Sequence, residues 1–449
     1  MREWHEGFRN SRVAYLSSNS DFATATGIAT AADLPSFSSS VPRLLATPHL
    51  VPPRTAFDGT DLIFALNAAA QARAALGESV INATVGALLD DSGRLVVHES
   101  VMALYRQLTP SEIAPYAPIT GDPAYLLALT QRHWPTLTSS GIGVATPGGT
   151  GALAVSLRNL LEPGQRLLTA APYWGPYATL AVENGIVMET VSYPAVGEPL
   201  NVDTWRAACT SILRAQGRLL LWLNDPCHNP TGRTLPTADR RALLHLLREL
   251  TPLGPVTLLL DFAYLDYARD QHTVRAALDD YASLGAEREV LVGASLSLSK
   301  AFTLYGARAG ALVFPWSTDR ALGAALATSC RGTFSNCARA PMSVLLRMTR
   351  DESAQRALAE EHARWSTILT QRADALDVAL RAEGLSAAPW NGGFFVAILL
   401  DEPFAVAARL QEDGVFVVPM QEGLRVGVCG LKATDAPRFA AALRKCMTA

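Results

Sequence analysis

The chain has 449 residues, a formal net charge of −3, 49% hydrophobic and 18% charged residues. That length allows a large core and two or more domains, and the near-neutral balance, without a dense basic run, argues against nucleic acid as a partner. The longest apolar runs, Val256–Leu260 and Phe394–Leu400, are too short to span a membrane; the six scattered cysteines form no CxxC pair, which argues against zinc or a disulfide framework and fits a reduced, cytoplasmic enzyme.

Residues 1–50 are rich in Ser, Thr and Ala, lack periodicity and lack the basic-then-apolar pattern of a signal peptide. They read as a variable, flexible N-terminal extension, or alternatively as an arm that embraces a partner. Asp61–Leu76 reads as an alanine-rich helix. A short strand from Val80 leads to Gly86, a glycine where backbone must approach something, and to a turn at Asp91-Ser-Gly. Residues 51–95 are expected to contribute to a small domain. A strand-then-helix or helix follows over Leu95–Gln107, a loop at Tyr116-Ala-Pro-Ile-Thr-Gly, and a helix over Ala124–Trp134.

From about residue 142 short apolar runs alternate with helical stretches. The runs are Val144–Thr146, Arg166–Ala170, Val187–Val191, Arg218–Leu223 and Val256–Leu260. The helices start at Gly151 and cover Tyr177–Asn184, Val202–Gln216 and Thr237–Leu250. Strands apolar on both faces and separated by helices predict an α/β fold with a mostly parallel, helix-covered sheet, spanning a large domain of residues 96–350. Ligands of such sheets sit at the carboxyl ends of the strands. Residues 317–347 read as helical around a loop at Arg331-Gly-Thr-Phe-Ser-Asn336. A long charged helix over Asp351–Glu383 then links to a smaller α+β unit, so that 351–449 forms the linking helix and C-terminal small domain.

The residues that carry chemistry fall after apolar runs. Ser295-Leu-Ser-Leu-Ser-Lys300 sets a lysine among hydroxyls, with Arg308 eight residues on. A lysine there is costly to bury as a cation, and a Schiff base with pyridoxal phosphate is one reason to keep it; a surface lysine after a buried strand is the plain alternative. Val256-Thr-Leu-Leu-Leu-Asp261-Phe-Ala-Tyr264 ends a buried strand in a carboxylate, which needs a proton or a cation, such as a protonated pyridine nitrogen, or serves as a helix cap. Asn229-Pro-Thr-Gly232 is a turn by composition, and its asparagine is a candidate donor to a ring oxygen. His228 beside it reads as a satisfied core histidine. Pro147-Gly-Gly149-Thr150-Gly opens a helix and suits a phosphate, without the lysine of a Walker A loop. Trp174 lies on a loop after a strand, where it packs in the core or stacks on a flat heterocycle. Arg425 starts a late strand and suits either a surface ion pair or a bidentate grip on a carboxylate.

Together, in this order, Asn-Pro-Thr-Gly, Asp-x-Ala-Tyr, Ser-x-x-Lys with Arg eight residues later, and the late Arg resemble the fold-type I pyridoxal phosphate (PLP) enzymes, specifically the aspartate/aromatic aminotransferase family (class I), from about Val80 to the C terminus. The resemblance implies a fold-type I PLP-transferase with a large mostly parallel-sheet domain and a smaller α+β domain. It implies Lys300 as Schiff-base lysine and proton shuttle, Asp261 at the pyridine nitrogen, Asn229 and Tyr264 at the ring oxygen, and Trp174 against the ring face. Gly149, Thr150, Ser297 and Arg308 match phosphate positions, and Tyr116 matches a tyrosine reaching the phosphate across a dimer interface. Arg425 matches the arginine for the substrate α-carboxylate, Arg331 the one reaching over from the other subunit to a side-chain carboxylate, and Gly86 a backbone position near the substrate. Departures are Leu88 for a tyrosine, Tyr177 for a histidine beneath the ring-nitrogen aspartate, and Gly148 for a serine. Leu88 and Leu89 are expected to make the substrate mouth more apolar. The implied activity is ping-pong transfer of an amino group from an aspartate- or aromatic-type amino acid to a 2-oxo acid such as 2-oxoglutarate, in a homodimer with shared active sites. A PLP-dependent lyase or amino-acid decarboxylase shares the whole cofactor site.

Overall fold

The computed structural model describes residue 49 and residues 61–448. Of the N-terminal extension over 1–50, all but His49 lies outside the described residues. In chain order the strands are β1 (Ile81–Asn82), β2 (Ile142–Thr146), β3 (Arg166–Ala171), β4 (Val187–Ser192), β5 (Leu219–Leu223), β6 (Val256–Phe262), β7 (Leu291–Ser297), β8 (Gly310–Phe314), β9 (Phe395–Leu399), β10 (Val415–Phe416), β11 (Val418–Met420) and β12 (Gly423–Gly427). The helices that matter here are α1 (Gly148–Leu160), α2 (Pro176–Glu183), α3 (Val202–Gln216), α4 (Thr237–Glu249), α5 (Gln271–Glu287), α6 (Leu298–Ala301), α7 (Arg320–Thr333), α8 (Arg339–Met348), α9 (Glu352–Ala382), α10 (Pro403–Glu412) and α11 (Ala436–Thr448).

A 7-stranded sheet runs in the order β2-β8-β7-β6-β5-β3-β4. Pairing is parallel from β4 through β7 and antiparallel on both sides of β8. Every residue of β5 and of β6 is buried, because helices cover both faces. Alternation along the strands divides the core accordingly: Leu220, Trp222, Leu259 and Leu312 pack on one side with Leu153 of α1 and Leu326 of α7, while Leu219, Leu221, Leu258 and Leu260 face the other with Ile212 of α3 and Leu243 of α4.

Distant segments of chain meet in the smaller sheets. β11, β12 and β9 form an antiparallel sheet, and β1 pairs in parallel with β10, Ile81 against Val415. The expected strand over Val415–Pro419 is therefore split, its first half serving β1 and its second half β12. Helix α9 runs for 31 residues behind its N-cap Asp351, whose side chain accepts the N–H groups of Ser353 and Ala354. No helix among the described residues is long and apolar enough to cross a membrane.

Other boundaries differ for local reasons. Helix α7 continues through Arg331 to Thr333, so the expected loop starts later; Phe334 caps the helix, and Ser335 just beyond takes a left-handed φ of 66°. Helix α1 starts at Gly148 rather than Gly151. Strand β8 and helix α5 lie in stretches that the alternation of apolar runs leaves unassigned.

Candidate active site

Strand ends at the carboxyl edge of the large sheet bring the site together. β6 delivers Asp261, and a short 3-10 turn, Leu265–Tyr267, follows Tyr264. β7 delivers Ser297, whose side chain caps the four-residue helix α6 by accepting the Ser299 N–H, and α6 carries Lys300. The loop after β5 brings Asn224 and Asn229. Asn224 ties these loops to one another: its Nδ2 donates to the Asp261 carbonyl at 2.7 Å, and its Oδ1 accepts the Asn229 N–H at 2.5 Å.

Lys300 Nζ donates to the Gly86 carbonyl at 2.5 Å and lies 4.7 Å from the Tyr305 ring centroid and 5.9 Å from that of Tyr264. Burial pushes its amine down to about 8, with the Arg425 and Arg308 cations acting in the same sense and the Cys429 thiol opposing. Gly86 is required by packing, since a Cβ there would stand 2.8 Å from Phe395 Cζ. The Tyr305 hydroxyl, in turn, accepts the Leu88 N–H at 3.1 Å. Leu88 itself is wholly buried in the core. It packs the loop rather than opening an apolar mouth, which corrects the expectation for that position.

Asp261 is buried, and burial raises its carboxyl to about 6 despite hydrogen bonds from Tyr177 and Ser295 that favour the charged form. Tyr177 Oη donates to Asp261 Oδ2 at 2.7 Å, and Ser295 stands opposite Asp261 in the β6–β7 register. Trp174 meets the Tyr177 ring edge-on at 5.7 Å. Asn229 Nδ2 lies 3.4 Å from Tyr264 Oη, and Asn229 Oδ1 is buried with no hydrogen-bond partner among the described residues. His228 is buried, stacks on Tyr193 at 4.5 Å and bonds Thr231 through Nδ1 at 2.9 Å; burial takes it down to about 3.

On the glycine-rich side, Gly148 takes φ +71°, and a Cβ there would fall 2.7 Å from Arg308 Nη2, so a serine would displace that guanidinium. Arg308 is itself left-handed, at φ 49°, and donates from Nη1 to the Tyr305 carbonyl at 2.8 Å. Ser295 Oγ donates to the Gly149 carbonyl at 3.3 Å. Thr150, Pro147 and Arg308 line one cavity of about 360 Å³ with Arg158 and Phe334. Arg425, buried on β12, donates from Nη2 to the Thr84 carbonyl at 2.7 Å and lies over the Phe395 ring at 4.2 Å.

Lys300, Gly86, Tyr264, Asn229, Asp261 and Arg425 are thus joined by contacts within one chain. Tyr116 and Arg331 are not part of that cluster: Tyr116 is 89% exposed, and exposed Arg331 donates to Ser335 Oγ at 2.6 Å. Asn224, Ser295 and Tyr305 escaped the sequence reading. Ser295 and Tyr305 sit inside the lysine stretch, but only strand register and the fold of the following turn bring them to Asp261 and Leu88. Among the described residues no group of three or more His, Cys, Asp or Glu side chains is placed to hold a metal ion.

A family model described as "Aminotransferase class I and II" matches residues 78–443, which takes in every residue of this cluster. The chain belongs to that family. It is an aminotransferase, with relatives of the aspartate and aromatic kind. It is 27% identical over 375 residues to a tyrosine aminotransferase of Rhizobium meliloti, covering 79% of this chain and 90% of that one. It is 32% identical over 264 residues to an aspartate aminotransferase of Pseudomonas aeruginosa, covering 56% and 62%. Among solved structures, an aminotransferase of Anaerococcus prevotii superposes with a TM-score of 0.82 at 29% identity, covering 90% of this chain and 99% of that one. The mixed, mostly parallel sheet with its small antiparallel companion is the fold of these aminotransferases.

Proposed function

We propose that this aminotransferase uses PLP to move an amino group from an aspartate- or aromatic-type amino acid to a 2-oxo acid, with 2-oxoglutarate as acceptor, by a ping-pong mechanism. The observation that carries the reading is the conjunction around Lys300: an amine that burial brings down to about 8, a buried acid across the same sheet edge, and the Asn229 amide whose Oδ1 is buried without a hydrogen-bond partner among the described residues. A buried acceptor of that kind fits a bound polar group. The narrow approach of Gly148 to Arg308 fits a backbone cradle for an anion as well.

Asn229 and Tyr264 would hold the ring oxygen, Asp261 the ring nitrogen and Trp174 the ring face. Gly149, Thr150, Ser297 and Arg308 would hold the phosphate. When bound, PLP supplies an aldehyde that captures amines and a ring that withdraws electrons. Lys300, neutral in a large share of molecules at mildly alkaline pH, takes the proton from the amino acid Cα and returns it. Asp261, kept buried and bonded by Tyr177, holds a positive charge opposite it. Arg425 orients the α-carboxylate, already positioned by Thr84 and Phe395. Residues Gly86, Trp174 and Asn229 would border the substrate.

The same proposal includes a homodimer in which Tyr116 reaches a phosphate and Arg331 a substrate side-chain carboxylate across the interface. The exposure of Tyr116 at 89%, with Ile113 at 47% and Ile119 at 40% beside it, supports this, because lone exposed aromatics with aliphatic neighbours suit an interface core. A large domain over 96–350, with 51–95 and 351–449 in a smaller one, belongs to this reading too. The free thiols support a cytoplasmic location.

The test is direct. Purified protein is titrated with PLP, reduced with borohydride and mapped by mass spectrometry, then assayed with aspartate, phenylalanine, tyrosine and leucine against 2-oxoglutarate. A reduced adduct on Lys300, and loss of turnover in Lys300→Ala, are expected. Normal turnover by Lys300→Ala would overturn the assignment.

A further inference from the structure

Behind Lys300, on the side away from its amine, lies a set of buried polar side chains that the reaction as described does not use. Helix α6 is only four residues long, and the chain leaves it through Thr303, a β-branched residue at φ 49°. That conformation is strained for a side chain branched at Cβ and persists only where surroundings enforce it. So short a helix also ends with carbonyls that have no helical partner.

At and just past its end, the carbonyls of Lys300, Ala301 and Phe302 are each met by a side chain, and the Lys300 carbonyl also accepts the Thr303 N–H at 3.1 Å. Tyr267 Oη donates to the Lys300 carbonyl at 3.0 Å, His362 Nε2 to the Ala301 carbonyl at 2.6 Å, and Thr303 Oγ1 to the Phe302 carbonyl at 2.7 Å. The Thr303 hydroxyl also accepts the backbone N–H of His98 at 2.8 Å. Tyr267 and His98 are fully buried, and His98 Nε2 lies 3.0 Å from Tyr267 Oη. Since the Tyr267 proton goes to a carbonyl, which can only accept, His98 must carry its own proton on Nε2 and donate it to Tyr267. Burial keeps His98 down to about 4, consistent with that neutral form.

The same network is bolted to helix α9. His362 and its neighbour Glu361 both come from α9; Glu361 accepts the Glu99 N–H at 2.7 Å and the Ser100 hydroxyl at 2.5 Å, at the start of the helix that His98 precedes. His362 meets the His98 ring edge-on at 5.2 Å and the Tyr267 ring at 5.6 Å. Its Nδ1 lies 3.7 Å from Asp266 Oδ1, which Arg132 pairs at 2.7 Å.

We propose that Tyr267 and His362, with His98 behind Tyr267, are positioning residues that hold the backbone of α6 so that the Lys300 amine stands at the Gly86 carbonyl and faces the substrate. This rests on the reading of Lys300 as the reacting amine. Tyr264 and Tyr267 share one turn after β6, so the strand that supplies Asp261 also anchors the lysine from behind.

The test compares holoenzyme of Tyr267→Phe, His362→Leu and His362→Gln with wild type, using the amino acid that turns over best. The readouts are the borohydride-reducible adduct at Lys300, the pH midpoint of the bound cofactor's visible absorption, the single-turnover rate with its Cα-deuterium isotope effect, and thermal stability. Tyr267→Phe and His362→Leu are expected to slow single turnover about tenfold or more with substrate Kd within about threefold, because a small misplacement of a reacting group is amplified in rate. The isotope effect rises and the absorption midpoint moves. His362→Gln, whose amide still donates to the Ala301 carbonyl, recovers most of the rate. Unchanged rates, isotope effects and midpoints in Tyr267→Phe and His362→Leu, or losses that only track the folded fraction, overturn the clasp while the Lys300 adduct in wild type leaves the functional reading standing. A wild-type protein without that adduct overturns the functional reading first and the clasp with it.

Discussion

Tyr177 Oη donates to Asp261 Oδ2 at 2.7 Å, with both groups buried at the edge of the large sheet. The resemblance places a histidine there. A phenol differs because it stays neutral throughout the working range, its own ionisation pushed well up by burial and by the Asp261 charge. The bond is therefore a pH-independent donor to a carboxylate that burial holds near 6.

Tyr177→Phe removes a hydrogen bond that favours the charged form, so the Asp261 carboxyl midpoint should rise above its value of about 6. An infrared titration of cofactor-free protein is expected to show a rise of about one unit. At pH 7 the charged fraction of Asp261 then falls from about nine-tenths to about one-half, so kcat/KM should fall about twofold. An unmoved midpoint would show that Ser295 alone holds the carboxylate.

Lys300 gives a pH-dependent stability term in the cofactor-free protein. Its folded value of about 8 lies below the ordinary 10.5, so the unfolded chain binds more protons between those values. The penalty of burying the amine is full below pH 8 and is relieved as pH rises towards 10.5. Lys300→Met should gain roughly 1–2 kcal/mol over wild type at pH 7, after allowance for partial exposure, and that gain should shrink by pH 10. Denaturant melts at both pH values measure it; a gain independent of pH would mean the amine titrates normally.

Gly86→Ala should destabilise by about 1–3 kcal/mol through overpacking, since its Cβ would meet Phe395 Cζ at 2.8 Å. Phe395→Leu in the same chain should restore part of the loss by making room. Thermal melts of the single and double variants test the coupling, which is absent if the two changes simply add.

Arg331→Leu should separate substrate classes under the dimer reading. KM for aspartate is expected to rise about thirtyfold or more, as for loss of one partner of a charge pair, with KM for phenylalanine nearly unchanged. Equal effects on both substrates would take Arg331 away from the side-chain carboxylate.

The motif residues were legible because each follows a strongly apolar strand, and such strands announce themselves. Asp261 lies near the end of β6, which is buried throughout, and Lys300 follows β7, which is buried except at its two ends. Strand β8 was not legible, because Gly310-Ala-Leu-Val-Phe follows the lysine stretch without an intervening helix and pairs antiparallel on both sides. Leu88 shows another limit. Its type is visible, but only packing reveals that its side chain is buried while its N–H serves Tyr305.

By itself the sequence determined the alternating α/β layout, the family and the chemical side chains at strand ends, because hydrophobic periodicity and turn composition are local properties. Only the tertiary structure decided which groups surround them. Gly86 comes from a segment more than two hundred residues from Lys300, yet their contact is 2.5 Å. His362 reaches the Lys300 helix from α9, and Tyr177 reaches Asp261 from α2. Such pairings depend on sheet register and helix docking, which pool contributions from the whole chain and leave no mark on the residues near either partner.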